Sequence, residues 1–275
     1  MTLQVFQSLW AMSPHDQSGE TLPYDAICGM VKDAGFHGLA IDLGAADVQT
    51  AYDVLPHIRH HGLVPLIVAF PRSVSALRDT LKMAKDFGSP FVNLIGQVFP
   101  LSTAGAIPVV RAWIEMSEQE GVPIQFETHR NCITNDLFTT LELIDAVPEM
   151  RLSGDLSHYL VDREWKLPLG AFERGLLTRI LQRCDSFQGR VASRQQIQLQ
   201  LDFPQNAKWL KLFTGIWREG FAHYKKTQPG TPLTFLCELG PPEYAMTDAT
   251  GREMSNRWDE ALRLKALAEE LWAED

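Results

Sequence analysis

Short apolar or β-branched runs alternate with longer stretches of helical spacing along the chain. Eight runs predict strands: Leu3 to Trp10, Gly38 to Leu43, Leu63 to Phe70, Phe91 to Ile95, Ile124 to Glu127, Met150 to Asp155, Ser186 to Val191 and Leu233 to Glu238. The seventh is the weakest, since only Phe187 and Val191 in it are strongly apolar. Between the runs, apolar residues recur at helical spacing. Ala26, Met30 and Val31 precede a stop near Gly35, and Val54, Leu55 and Ile58 precede one at Gly62. Leu77, Leu81 and Ala84 follow Pro71, and Val109, Val110, Trp113 and Ile114 run to Gly121. Leu137, Leu141 and Ile144 predict a helix capped by Thr134 or Asn135. Further helices are expected after Leu169, over 207–224, and around Trp258, Leu262, Leu264, Leu267 and Leu271.

Eight strand–helix pairs in 275 residues give a unit of about 34 residues, the size of a (β/α)8 repeat. Strands separated by helices must pair in parallel, because a parallel pair needs a crossover. A doubly wound open sheet is the alternative. Neither G-x-G-x-x-G nor G-x-x-x-x-G-K-[ST] occurs to mark its phosphate turn. The expected architecture is α/β, a single TIM barrel domain over 1–275.

The formal charge is −9, from 25 basic and 34 acidic side chains. That opposes nonspecific nucleic-acid binding, which needs cations to displace phosphate counterions. Cys28, Cys132, Cys184 and Cys237 are scattered without zinc spacing and read as reduced, partly buried thiols. No apolar run reaches the roughly 18 residues of a membrane span, and no leader pattern opens the chain. A soluble, cytoplasmic protein is expected, without membrane or nucleic-acid partners.

Barrels of this kind carry their chemistry at the C-terminal ends of the strands. The expected strands end in Trp10, Asp42, Asn93 with Gln97, Glu127 with His129 and Arg130, Asp155 with His158, Gln188 with Arg190, and Glu238. Carboxylates converging on one mouth repel unless a cation sits among them. A divalent metal explains three of them economically: carboxylate, amide and imidazole donors suit Mn²⁺ or Mg²⁺, and also allow Zn²⁺ or Co²⁺. Asp155 and His158 straddle a strand end and the loop expected after it, so both can enter one pocket. His37, His60, His61 and His223 read as surface residues.

The Glu-Thr-His run at Glu127, the Asp-Leu-Ser-His run at Asp155 and the Glu-Leu-Gly-Pro-Pro run at Glu238 resemble the xylose isomerase-like TIM barrels. That superfamily includes sugar phosphate isomerases and epimerases, hydroxypyruvate isomerases, inosose dehydratases and AP endonucleases. In its epimerase branch a Glu, an Asp, a His and a Glu after strands five to eight hold the metal. The resemblance places Glu127, Asp155, Gln188 and Glu238 at those positions, with Gln where the branch has His. If Gln188 is a ligand, its oxygen must face the cluster and its nitrogen an acceptor, because the nitrogen cannot bind a cation. His158 and Arg190 look like the substrate-contacting histidine and arginine. His129 is a further candidate contact, and Trp10 and Trp165 are candidate walls of the pocket.

The implied reaction is isomerisation or epimerisation of a small sugar, sugar phosphate or hydroxy-keto acid through an enediolate. Glu127 and Glu238 would exchange the carbon-bound proton, beside a divalent Lewis acid. Two other readings share the scaffold: a dehydratase, and a barrel that binds a ligand without catalysis. AP-endonuclease chemistry needs more histidine ligands and a basic face. The partner implied is a small polyhydroxylated molecule, and a homo-oligomer is compatible with the resemblance.

Overall fold

The computed structural model describes residues 2–13 and 21–274. Eight strands form a closed barrel in chain order, every neighbouring pair parallel. They are β1 (Leu3–Ser8), β2 (Gly38–Asp42), β3 (Val64–Ala69), β4 (Val92–Leu94), β5 (Ile124–Glu127), β6 (Leu152–Gly154), β7 (Cys184–Gly189) and β8 (Leu233–Cys237). Around them lie α1 (Tyr24–Asp33), α2 (Val48–His60), α3 (Leu77–Phe87), α4 (Thr103–Glu120), α5 (Leu137–Ala146), α6 (Leu156–Asp162), α7 (Ala171–Leu181), α8 (Ala207–Thr227) and α9 (Arg257–Ala273). No described helix is long and apolar enough to cross a membrane. All four cysteines are buried and free of disulfides.

Strand side chains alternate between two faces, and the two faces here differ in character. Val5, Leu39, Ile41, Ile67, Phe126, Leu152, Phe187 and Phe235 point outward and join the helices in one large core. Phe6, Ala40, Leu66, Val68 and Leu236 form a separate apolar cluster within the barrel. The interior positions of β4 to β7 are polar instead: Asn93, Gln125, Glu127, Ser153, Ser186 and Gln188, all buried. Ser186 Oγ bonds Gln125 and Ser153, so β7 buries hydroxyl and amide groups on the barrel side without losing their hydrogen bonds. This explains its faint apolar pattern. The strand also begins at Cys184, ahead of the expected Ser186.

Three local expectations need correction. The first strand ends at Ser8, and Trp10 opens a 3-10 turn, Trp10–Met12. The sixth strand is only three residues long, and Asp155 caps a helix that the apolar pattern did not predict, α6. Asp155 and His158 therefore sit at a helix start rather than on a loop. Finally, Asp136 caps α5, accepting from the Thr139 N–H at 2.8 Å. Thr134 and Asn135 tie down the preceding loop: the Thr134 hydroxyl binds the Glu127 carbonyl, and Asn135 Oδ1 accepts from the Asn131 N–H.

Gly38 is the tightest point of the barrel wall. A Cβ there would overlap the Val64 carbonyl oxygen and the Phe6 ring. The carbonyl belongs to the β2–β3 ladder, where Gly38 pairs with Val64, so it cannot turn aside as a side chain would. Gly38→Ala is expected to cost about 3 kcal/mol of stability, at the upper end for overpacking. Urea unfolding of the variant against the parent measures it.

Candidate functional site

Four strand ends deliver acidic or amide groups to one buried cluster. Glu127 ends β5, Asp155 follows β6, Gln188 lies near the end of β7 and Glu238 follows β8. One carboxylate oxygen each from Glu127, Asp155 and Glu238 lie within 4.8 Å of one another. Glu127, His129 and His158 form an overlapping group by the same measure. Above the cluster opens a cavity of about 530 Å³ whose lining includes Trp10, Asp42, Gln97, His129, Glu238 and Tyr244. Trp165 is not among its walls and packs against the helix–barrel core instead.

A cation does stand among these carboxylates: the Arg190 guanidinium, only 1% exposed. Its Nη1 donates to Asp155 Oδ2 at 2.8 Å, and its Nη2 stands 3.2 Å from Glu238 Oε1. Its Nε donates to the Glu238 carbonyl at 3.2 Å. Asp155 is saturated. Its Oδ1 accepts from the Ser157 N–H and hydroxyl, and its Oδ2 faces both Arg190 and His158 Nε2, the latter at 3.4 Å. The other acids are not. Asn93 Nδ2 donates to Glu127 Oε2, and Gln188 Nε2 reaches Ser153 Oγ at 3.0 Å and Glu127 Oε2 at 3.4 Å. Asn93 Oδ1, Glu127 Oε1, Gln188 Oε1 and Glu238 Oε2 have no hydrogen-bond partner among the described residues.

Four orphaned oxygens in one buried cluster match the donor set of a hard divalent cation. The residues present therefore fit a metal ion. Glu127, Gln188 and Glu238 would hold it, and Asp155 would join through an oxygen that already accepts from Arg190. The Gln188 amide has the orientation ligation requires, nitrogen on acceptors and oxygen free.

Charge is distributed unequally over the acids. Burial works against the charge on Asp155, but Arg190, His158 and Ser157 outweigh it and hold the carboxyl well below its usual range. Burial pushes Glu238 up to about 7, with Arg190 opposing. Glu127 is raised well above the ordinary value, first by burial and then by the charges of Glu238 and Asp155. Arg190 is raised because Glu238 and Asp155 outweigh the effect of its burial. The two histidines go the other way. His129 is lowered to about 2 by burial and by His158, and burial also lowers His158. Their rings lie 4.0 Å apart, centroid to centroid, a contact that suits neutral imidazoles.

Tyr244 completes the mouth, and no feature of the apolar pattern singled it out. Two guanidinium groups, those of Arg130 and Arg190, each lie over its ring, 4.8 Å from the centroid. Trp10 meets it edge-on at 5.1 Å. The only available signal was its place six residues after Glu238. Asp42 reaches the cavity but spends Oδ1 on the Gly44 and Ala45 N–H groups. Gln97 accepts from Arg72 Nε at the rim.

No family model matches this sequence, and no curated protein matches it. Solved structures do. A xylose isomerase-like TIM barrel protein from Mycobacterium smegmatis, in complex with magnesium, superposes with a TM-score of 0.60 at 16% identity, over 99% of this chain and 98% of that one. A D-allulose 3-epimerase from Methylomonas sp. gives 0.55 at 15% identity, over 98% and 96%. A probable 3-DHS dehydratase from Bacillus anthracis gives 0.55 at 16% identity, over 99% and 100%. The chain thus has the fold of the xylose isomerase-like TIM barrels.

Glu238 provides a direct test of this electrostatic arrangement. The folded state keeps its proton up to about pH 7, whereas a carboxyl at its ordinary value releases it near 4.5. The stability from this group is therefore complete below 4.5 and is lost as pH rises through 7. Glu238→Gln removes that loss. Unfolding in chelator should show the variant gaining on the parent by on the order of 3 kcal/mol between pH 4.5 and 8. A constant difference across that range would contradict the raised proton affinity.

Proposed function

We propose that this barrel is a metal-dependent isomerase or epimerase acting on a small polyhydroxylated substrate, a sugar, sugar phosphate or hydroxy-keto acid. The observation that carries the reading is the cluster of orphaned oxygens on Glu127, Gln188 and Glu238, beside a cavity sized for a small ligand. The structural neighbours support the same class: one is a D-allulose 3-epimerase and another is solved with magnesium.

Glu127 and Glu238 are the proton carriers. They reach the mouth from β5 and β8, far apart in barrel order, so they can face opposite sides of a bound carbon. Without a cation both bind protons more tightly than an exposed carboxylate. Beside a bound cation both would be lowered and left ionised, ready to accept the carbon-bound proton. His158 and Arg190 bind substrate hydroxyl or carboxylate oxygens, and His129 adds a neutral imidazole at the wall. Trp10 shields one side of the cavity from water. A bound Mg²⁺ or Mn²⁺ would supply Lewis-acid stabilisation of the developing enediolate.

Incubation with ketoses, hydroxypyruvate and inososes in D₂O tests the reading. Deuterium is expected at the carbon beside the carbonyl of one substrate class, in the presence of Mn²⁺ or Mg²⁺. Glu127→Gln and Glu238→Gln should each slow exchange by roughly a hundredfold or more. Release of water to give an unsaturated ketone would instead assign a dehydratase, the activity ascribed to the B. anthracis neighbour. No exchange with any substrate, together with a melting temperature indifferent to every divalent ion, would leave a ligand-binding barrel.

Gln188 sets the preferred ion. An amide oxygen favours hard cations, whereas imidazole suits Zn²⁺ and Co²⁺. Gln188→His is expected to move the preference from Mn²⁺ or Mg²⁺ toward Zn²⁺ or Co²⁺, read by calorimetric titration.

A further inference from the structure

Three of the eight histidines lie within five residues, His57, His60 and His61, at the end of α2. They face Asp25 in the first turn of α1. His57 Nδ1 stands 3.4 Å from Asp25 Oδ1, and His61 Nε2 stands 3.0 Å from the same oxygen. One ligand atom each from Asp25, His60 and His61 lie within 4.8 Å of one another. These groups belong to none of the mouth machinery.

We propose that Asp25, His60 and His61, with His57 beside them, form a second metal site, one for a borderline transition ion such as Zn²⁺. Three observations support it. A donor atom from each of the three lies within 4.8 Å of the others, so a small closing of the side chains brings them to the roughly 3.4 Å that separates the ligands of a tetrahedral zinc at bond lengths of about 2.0–2.2 Å. His61 Nε2 is already 3.0 Å from Asp25 Oδ1, and His57 Nδ1 holds the same carboxylate at 3.4 Å from the preceding turn. The donor set, two imidazoles and one carboxylate, favours zinc, cobalt or nickel over magnesium.

His57 and His61 each pair with the Asp25 carboxylate through a ring nitrogen. An ion would take the place of the proton between His61 and Asp25 and join α1 to α2, and solvent would complete its shell. The Asp25 carboxyl is already held below its ordinary value by His61 and His57, so it is ready to bind as an anion. The side chains of Asp25, His57 and His61 are 61%, 39% and 22% exposed, so substitutions here leave the core intact.

Zinc titration by calorimetry at pH 7.5 tests the site, with the His60→Gln/His61→Gln double variant beside the parent. The parent is expected to take one more equivalent of Zn²⁺ than the variant. That equivalent should survive millimolar Mg²⁺, and Co²⁺ in its place should give visible d–d absorption absent from the variant. Asp25→Asn should weaken the same equivalent roughly tenfold. Equal zinc stoichiometry in parent and double variant would overturn the proposal, as would displacement of the extra ion by Mg²⁺. The site does not depend on the mouth chemistry, and the zinc difference between the two proteins is read whether or not any substrate is turned over.

Discussion

The barrel mouth depends on one buried guanidinium. Arg190 lies between Asp155 and Glu238 with 1% of its surface exposed. Without it, three carboxylates would share a dry space within 4.8 Å. Removing one partner of such a buried pair typically costs about 3–5 kcal/mol, because a charge is left uncompensated. Yet one guanidinium neutralises only one of three acids. Asp155 takes most of it and stays ionised, while Glu127 and Glu238 are pushed toward their protonated forms. Fully ionised, the three acids and Arg190 sum to −2, the charge a divalent ion would balance.

The barrel interior is built to tolerate that charge on one side only. Phe6, Ala40, Leu66, Val68 and Leu236 give the β8–β1–β2–β3 half an apolar filling. The β4–β7 half is a ladder of hydroxyls and amides running from Ser186 through Gln125, Ser153 and Gln188 to Glu127. Each rung supplies the hydrogen bonds that a buried polar group needs. The carboxylates therefore stand on a polar floor, and the arrangement orients Gln188 and Asn93 as donors toward Glu127.

The same division decides what was legible from residues alone. Glu127, Asp155 and Glu238 stood out because each directly follows an apolar run, and a charge at that boundary is unusual enough to notice. The barrel count was legible because the outward faces of all eight strands pack on helices and must be apolar. Strand β7 was faint because half of its faces are polar by design of the ladder, not exposed. Helix α6 escaped notice because it is seven residues long and capped by the very Asp155 read as a strand end. The capping of α5 by Asp136 is a choice among three adjacent capping residues, and it is set by which of them the loop needs elsewhere. Tyr244 had no periodic signal at all: its role comes from Arg130 and Arg190, which the chain brings to it from 114 and 54 residues away in sequence.

Gln188 joins these lines. An imidazole at this position would offer one nitrogen to a metal and one N–H to the ladder. The amide divides the same two duties between two atoms, Nε2 donating to Ser153 and Glu127 while Oε1 is left free. The amide thus serves the ladder with its nitrogen and leaves an oxygen unpaired. Asn93 Oδ1, Glu127 Oε1 and Glu238 Oε2 are unpaired as well, so the free donors these four side chains offer are all oxygens. A cation held by these oxygens would be one that prefers oxygen, Mg²⁺ or Mn²⁺ rather than Zn²⁺. The ladder fixes which way the amide turns: with Nε2 committed to Ser153 and Glu127, the oxygen and not the nitrogen is left for such an ion.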